Sequence, residues 1–136
     1  MRRAHGFVLL ILAAVPLCFS GAAWAEGLDG ATPLICDLAK AAQCDGVAVC
    51  SDVTPGQIDL PDVFHVDFAS RRLVSADEQR TSPITAVEKL DAVLVLQGQQ
   101  NGRGWTMVID RATGHLSASL SDLEGSFVLA GACVAL

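Results

Sequence analysis

Three side chains in this sequence have the types and spacing for metal or acid–base chemistry. His65 and Asp67 stand two residues apart in Val63-Phe64-His65-Val66-Asp67, so on an extended strand both project from one face. With His115 from another hairpin they would offer the nitrogen and oxygen donors that zinc takes. Two histidines and one carboxylate are a thin ligand set, and a polar strand face in water accounts for them as well. No bound metal and no cofactor are expected. A hydrolase or metal enzyme using His65, Asp67 and His115 is the last-ranked function.

Other routes to chemistry are weaker still. Asp52, Asp59, Asp62 and Asp67 are spread through an irregular stretch, and none fits the spacing of a calcium loop. Acids of this kind normally sit in solvent. No serine lies in a G-x-S-x-G elbow, and no threonine has an accompanying base. No catalytic residue is therefore assigned. The most individual segment is Leu96 to Trp105, rich in amides and glycines. Within it Gln99, Gln100, Asn101, Arg103 and Trp105 form a candidate binding loop, since Trp and Arg concentrate binding energy at interfaces. Against that stands alternation: Trp105 shares a strand face with Met107 and Ile109, which favours packing into the core.

The elements that must position these residues are mostly strands. Thr32-Pro33 has the form of a helix start, and Leu34, Ile35, Leu38, Ala39 and Ala42 recur at helical spacing. One N-terminal helix over about 33–43 is the expectation, ended by Asp45-Gly46. Beyond it the period becomes two. Strands are expected at Val47 to Cys50, around Phe64 to Phe68, at Leu73-Val74, from Ile84 to Glu88 and around Val93 to Leu96. Three more follow at Trp105 to Asp110, Leu116 to Ser121 and Phe127 to Val134. The last is apolar on both faces, as in a strand covered on both sides. The fold class is mainly β: the helix, then an antiparallel meander of seven or eight strands closing into a small barrel, or else a sandwich.

The N-terminus reads as an export signal. Arg2 and Arg3 precede the apolar run Phe7 to Phe19, and Ala23-Trp24-Ala25 offers an Ala-x-Ala cleavage site. The run is too short, and too broken by Pro16, to span a membrane. Residues 1–25 are thus expected to be a cleaved signal peptide, and 26–136 a single small domain. Lipidation at Cys18 is the minor alternative, disfavoured by Leu17 where a small residue is wanted. Loss of Arg2 and Arg3 takes the formal charge from −6 to −8. Such acidity argues against nucleic acid as a partner and against docking on anionic lipid. No stable membrane insertion is expected after cleavage.

Cys36, Cys44, Cys50 and Cys133 remain, an even number in a short exported chain, which implies disulfides. On the expected helix Cys44 would stand about 12 Å beyond Cys36 along the axis, too far to bridge. Cys44–Cys50 and Cys36–Cys133 are the favoured pairs. No C-x-x-C pair points to zinc.

The run Asn101-Gly102-Arg103-Gly104-Trp105-Thr106-Met107-Val108-Ile109-Asp110, with Thr113-Gly114 and Gly131-Ala132-Cys133, resembles a group of small exported proteins of alphaproteobacteria with no assigned function. The resemblance implies location in a Gram-negative envelope, periplasmic or secreted, and carries over no activity and no catalytic residue. The leading functional expectation is a non-catalytic exported protein that binds a protein partner or small ligand through its β surface. The alternative is an inhibitor-like module against a basic envelope enzyme such as a lysozyme, since an acidic surface speeds encounter with a cationic target.

Overall fold

The structure is a computed structural model that describes residues 27–46 and 49–136. The expected signal peptide at 1–25, with Cys18, lies outside the described residues, as does Val47. Alternating hydropathy produces nine strands among the described residues: β1 (Leu34–Asp45), β2 (Val49–Val53), β3 (Val63–Asp67), β4 (Arg72–Ser75), β5 (Thr81–Lys89), β6 (Val93–Gln100), β7 (Arg103–Asp110), β8 (His115–Ser121) and β9 (Ser126–Ala135). A short 3-10 turn, Pro55–Ile58, is the one helical element among them.

The strands pair antiparallel in the order β2-β1-β3-β4-β5-β6-β7-β8-β9, and β1 pairs again with β9. That last pairing closes eight strands into a barrel and rules out the sandwich. Strand β1 is longer than the barrel wall needs. Leu34 to Asp37 pair with β3, while Ala41 to Asp45 run past it and pair with β2 along the same edge. Strands β1 and β2 therefore form a hairpin that stands on the rim.

The helix expected over about 33–43 is not formed; those residues belong to β1. Leu34, Cys36 and Leu38 point inward with Ile35, Asp37 and Ala39 between them, which is a strand period. A bulge between Leu38 and Lys40 then shifts the phase, so that Ala41 is the next buried residue. This slip is what imitates a helical repeat. Strand pairing on both edges of β1 overrides the modest helix preference of Ala, Leu and Lys. Nor does Thr32 cap a helix; its amide and that of Ala31 donate to the Asp29 carboxylate at 2.8 and 2.9 Å.

The disulfides are Cys36–Cys133 and Cys44–Cys50. Each joins directly opposed residues of neighbouring strands, Cys36 to Cys133 across the β1–β9 seam and Cys44 to Cys50 across the β1–β2 hairpin. The geometric reason for the pairing is cross-strand register and not helix length.

Inside the barrel lie Leu34, Val66, Leu94, Leu96, Ile109 and Leu116, all fully buried. Each contributes about 1.5–3 kcal/mol by leaving water. The outer face carries His115, Ser117, Ser119 and Ser121 of β8. Strand β8 is thus apolar inside and polar outside, and no helix among the described residues is long and apolar enough to cross a membrane. Strand β9 is not covered on both sides: its outward Val128 and Val134 are exposed. One end of the barrel is sealed. Leu28 joins the core there, and Arg111 donates from Nε to the Leu28 carbonyl at 2.8 Å and from Nη1 to the carbonyls of Leu90 and Asp91 at 2.9 Å.

Candidate functional site: the open mouth of the barrel

The other end stays open, and the segment least expected from sequence shapes it. Between β2 and β3 the chain crosses as a strap, Thr54 to Asp62. Its 3-10 turn begins with a capping box: the Gln57 amide donates to the Thr54 hydroxyl, and the Gln57 side chain accepts from the Thr54 amide. Pro55 and Ile58 are buried beneath it, and the Leu38 amide donates to the Asp62 carbonyl at 2.7 Å.

Two arginines fasten this strap to the strands. Arg103, at the start of β7, donates from Nη1 to the Ile58 carbonyl and from Nε to the Asp122 carboxylate, both at 2.9 Å. Its guanidinium also lies 5.7 Å from the centre of the Phe127 ring, within cation–π range. Arg80, in the turn before β5, donates from Nη1 to both the carbonyl and the Oδ1 of Asp59 at 3.0 Å. Position is what these arginines supply.

Trp105 sits opposite Gly98 on β6. A Cβ at Gly98 would come within 2.3 Å of Trp105 Cζ2 and 2.3 Å of the Pro83 carbonyl oxygen, so only glycine lets the indole lie across this strand. The indole Nε1–H donates to the Ser82 hydroxyl at 3.0 Å. The ring is thereby fixed as a half-buried wall. Between Gln100 and Arg103 the chain reverses at Asn101-Gly102, where both φ angles are positive, 51° and 80°. That is the two-residue hairpin turn an Asn-Gly pair favours.

Strap and strand ends together enclose a cavity of about 440 Å³, within the range of about 300–1,000 Å³ found for small-molecule sites. Its apolar wall includes Leu38, Leu60, Phe64, Leu73, Trp105, Met107, Leu120 and Leu129. Ser75, Gln79, Arg80, Ser82, Gln100, Asn101 and Arg103 add polar groups. Barrels of eight strands are just wide enough to hold one small ligand.

Of the expected binding loop, Gln100, Asn101, Arg103 and Trp105 line this cavity, and Gln99 does not. Trp105 both packs with the core and faces the cavity. His65, Asp67 and His115 are not brought together. His65 on β3 is separated from His115 on β8 by β1 and β9, roughly 14 Å along the sheet at about 4.8 Å per strand. Asp67 instead accepts from the Ser70 amide at 3.0 Å, and the Ser70 hydroxyl and amide hold it below the ordinary carboxylate value. No group of three or more His, Cys, Asp or Glu among the described residues could hold a metal ion.

Sequence reasoning missed Arg80 and the strap. The Thr54-Pro55-Gly56-Gln57 capping box and the proline at the first helical position were the available signal. Ser75 is the buried polar residue among the described residues; its hydroxyl donates to the Asp77 carboxylate and accepts from the Arg80 amide at 3.0 Å. This bond comes first among the causes that hold the Asp77 carboxyl below its usual range. These bonds shape the β4–β5 turn. Comparison of the chain with family models, characterised proteins and solved structures returns no match.

Proposed function

We propose that this chain is an exported, non-catalytic barrel protein that holds one small, mainly apolar ligand in its open mouth. The observation that carries the reading is the cavity itself. Packed interiors leave few voids larger than a water molecule, whereas here Trp105, Met107, Phe64 and Leu129 border about 440 Å³ of open space. Export is supported by the basic, apolar and Ala-x-Ala order of residues 1–25 and by two disulfides, which persist in oxidising compartments.

Titration with Nile red, an uncharged dye that brightens in apolar surroundings, tests it. Saturable binding at one dye per chain is expected. Ala118→Phe fills the cavity from the β8 wall and should abolish that signal while the far-ultraviolet circular dichroism keeps its β form. An unchanged titration in the folded variant refutes the reading.

One observation favours a second reading, a basic protein partner. The stretch from Asp45 to Asp62 carries four acids, Asp45, Asp52, Asp59 and Asp62, and no lysine or arginine, and all four acids are exposed. An inhibitor-like module against a cationic enzyme such as a lysozyme would use such a rim, with binding that weakens steeply as salt rises. Lysozyme activity that is unaffected by the protein at low salt removes this alternative.

A further inference from the structure

We infer that the ligand of the barrel mouth is an anionic amphiphile whose carboxylate is taken by Arg80 and Arg103 while its apolar part lies against Trp105, Met107 and Leu120. The inference rests on the ligand-binding reading above and adds the chemical class. It starts from donors left over after folding. Arg80 uses Nη1 on Asp59, and Arg103 uses Nε on Asp122 and Nη1 on the Ile58 carbonyl. Nη2 of both side chains, and Nε of Arg80, have no protein partner among the described residues. Both guanidiniums border the cavity.

A guanidinium carries five N–H donors in a fixed fork and accepts nothing. A carboxylate meets that fork with two parallel charge-assisted bonds, which a hydroxyl cannot do. Asp59, the acid that borders the cavity, and Asp122 beside Arg103 already have their arginines at 3.0 and 2.9 Å, and the nearby Asp77 accepts from the Ser75 hydroxyl and the Gln79 amide. The unspent charged capacity of the wall is therefore donor capacity. An ammonium head would enter beside two guanidiniums and find no unpaired acid among the cavity-lining residues. Of the exposed acids of the strap, Asp59 is already paired with Arg80 and Asp62 does not line the cavity; salt screens exposed charges beyond about 8 Å at physiological ionic strength. Contact at Arg103, 27% exposed, is screened less than contact at Arg80, 44% exposed.

The experiment is isothermal titration calorimetry of the whole protein at neutral pH with decanoate, decanol and decylamine, each kept below its micelle concentration. Decanoate should bind about tenfold more tightly than decanol, the factor expected of a charge-assisted bond. Arg80→Gln and Arg103→Gln should each weaken decanoate binding toward the level of decanol. Both arginines also hold the strap, so each variant is read as the ratio of its decanoate to its decanol affinity, which should fall from about ten toward about one. A ratio that stays near ten in both variants overturns the inference. Equal affinities for decanoate and decanol, or tighter binding of decylamine, overturn this inference and leave the cavity as a site for another ligand. Absence of binding by all three amphiphiles overturns both.

Discussion

The two disulfides close loops of very different size, and their removal should cost accordingly. Cys36 and Cys133 are 97 residues apart, Cys44 and Cys50 only 6. With loop-closure entropy growing as the logarithm of loop length, the long bond restrains the unfolded chain by about 4.7 kcal/mol and the short one by about 2 kcal/mol. Nesting barely alters this, because the small loop shortens the large one by a few residues. Burial widens the gap. Cys36 and Cys133 are 1% and 2% exposed, so truncation to alanine also removes packed sulfur, adding about 1 kcal/mol per site. The Cys36→Ala/Cys133→Ala protein should thus lose about 6–7 kcal/mol, a large part of the about 5–15 kcal/mol by which domains are stable. The Cys44→Ala/Cys50→Ala protein should lose about 2 kcal/mol. Urea unfolding followed by circular dichroism measures both, through the shift in midpoint and the slope. Equal losses, or a larger loss from the hairpin pair, would refute the claim that the Cys36–Cys133 bond secures the seam where the first barrel strand meets the last.

Gly98→Ala places a methyl group against both the Pro83 carbonyl and the indole of Trp105; about 1–3 kcal/mol of destabilisation and a red-shifted tryptophan emission are expected, and an unmoved spectrum would contradict the packing described. Arg103→Ala frees the strap from the Ile58 carbonyl contact, so hydrogen exchange of the Leu60 amide, which donates to the Pro55 carbonyl, should accelerate about tenfold. The Asp110 carboxylate is held below its ordinary value of 3.8, first by the Thr113 amide and then by that of Ala112. A depressed folded pKa means that its stabilisation is fully present above the unfolded value and is lost as pH falls through the folded one. Acid unfolding below about pH 4 should therefore be shallower in Asp110→Asn, which keeps the acceptor but does not titrate; an unchanged acid limb counts against it. His65→Ala and His115→Ala, at scattered surface positions, should each stay within about 0.5 kcal/mol of wild type in the same unfolding assay.

Local pattern was enough for much of this protein. Inward Trp105, Met107 and Ile109 alternate with Thr106, Val108 and Asp110, and Leu116, Ala118 and Leu120 with the serines of β8, because a strand repeats every two residues whatever it packs against. Asn101-Gly102 marked its hairpin through backbone preference alone. The same local logic failed at β1, where the bulge near Lys40 breaks the period and pairing with β9, β3 and β2 outweighs helix propensity. It also failed for function. His65 and His115 could be imagined together only while the strand order was unknown, and Arg80, Asp59 and Arg103 lie far apart in sequence with no motif joining them. Closure of the barrel is a long-range event, governed by the β1–β9 register and its buried disulfide. That closure decides which strand ends share the mouth, and so which side chains border the cavity.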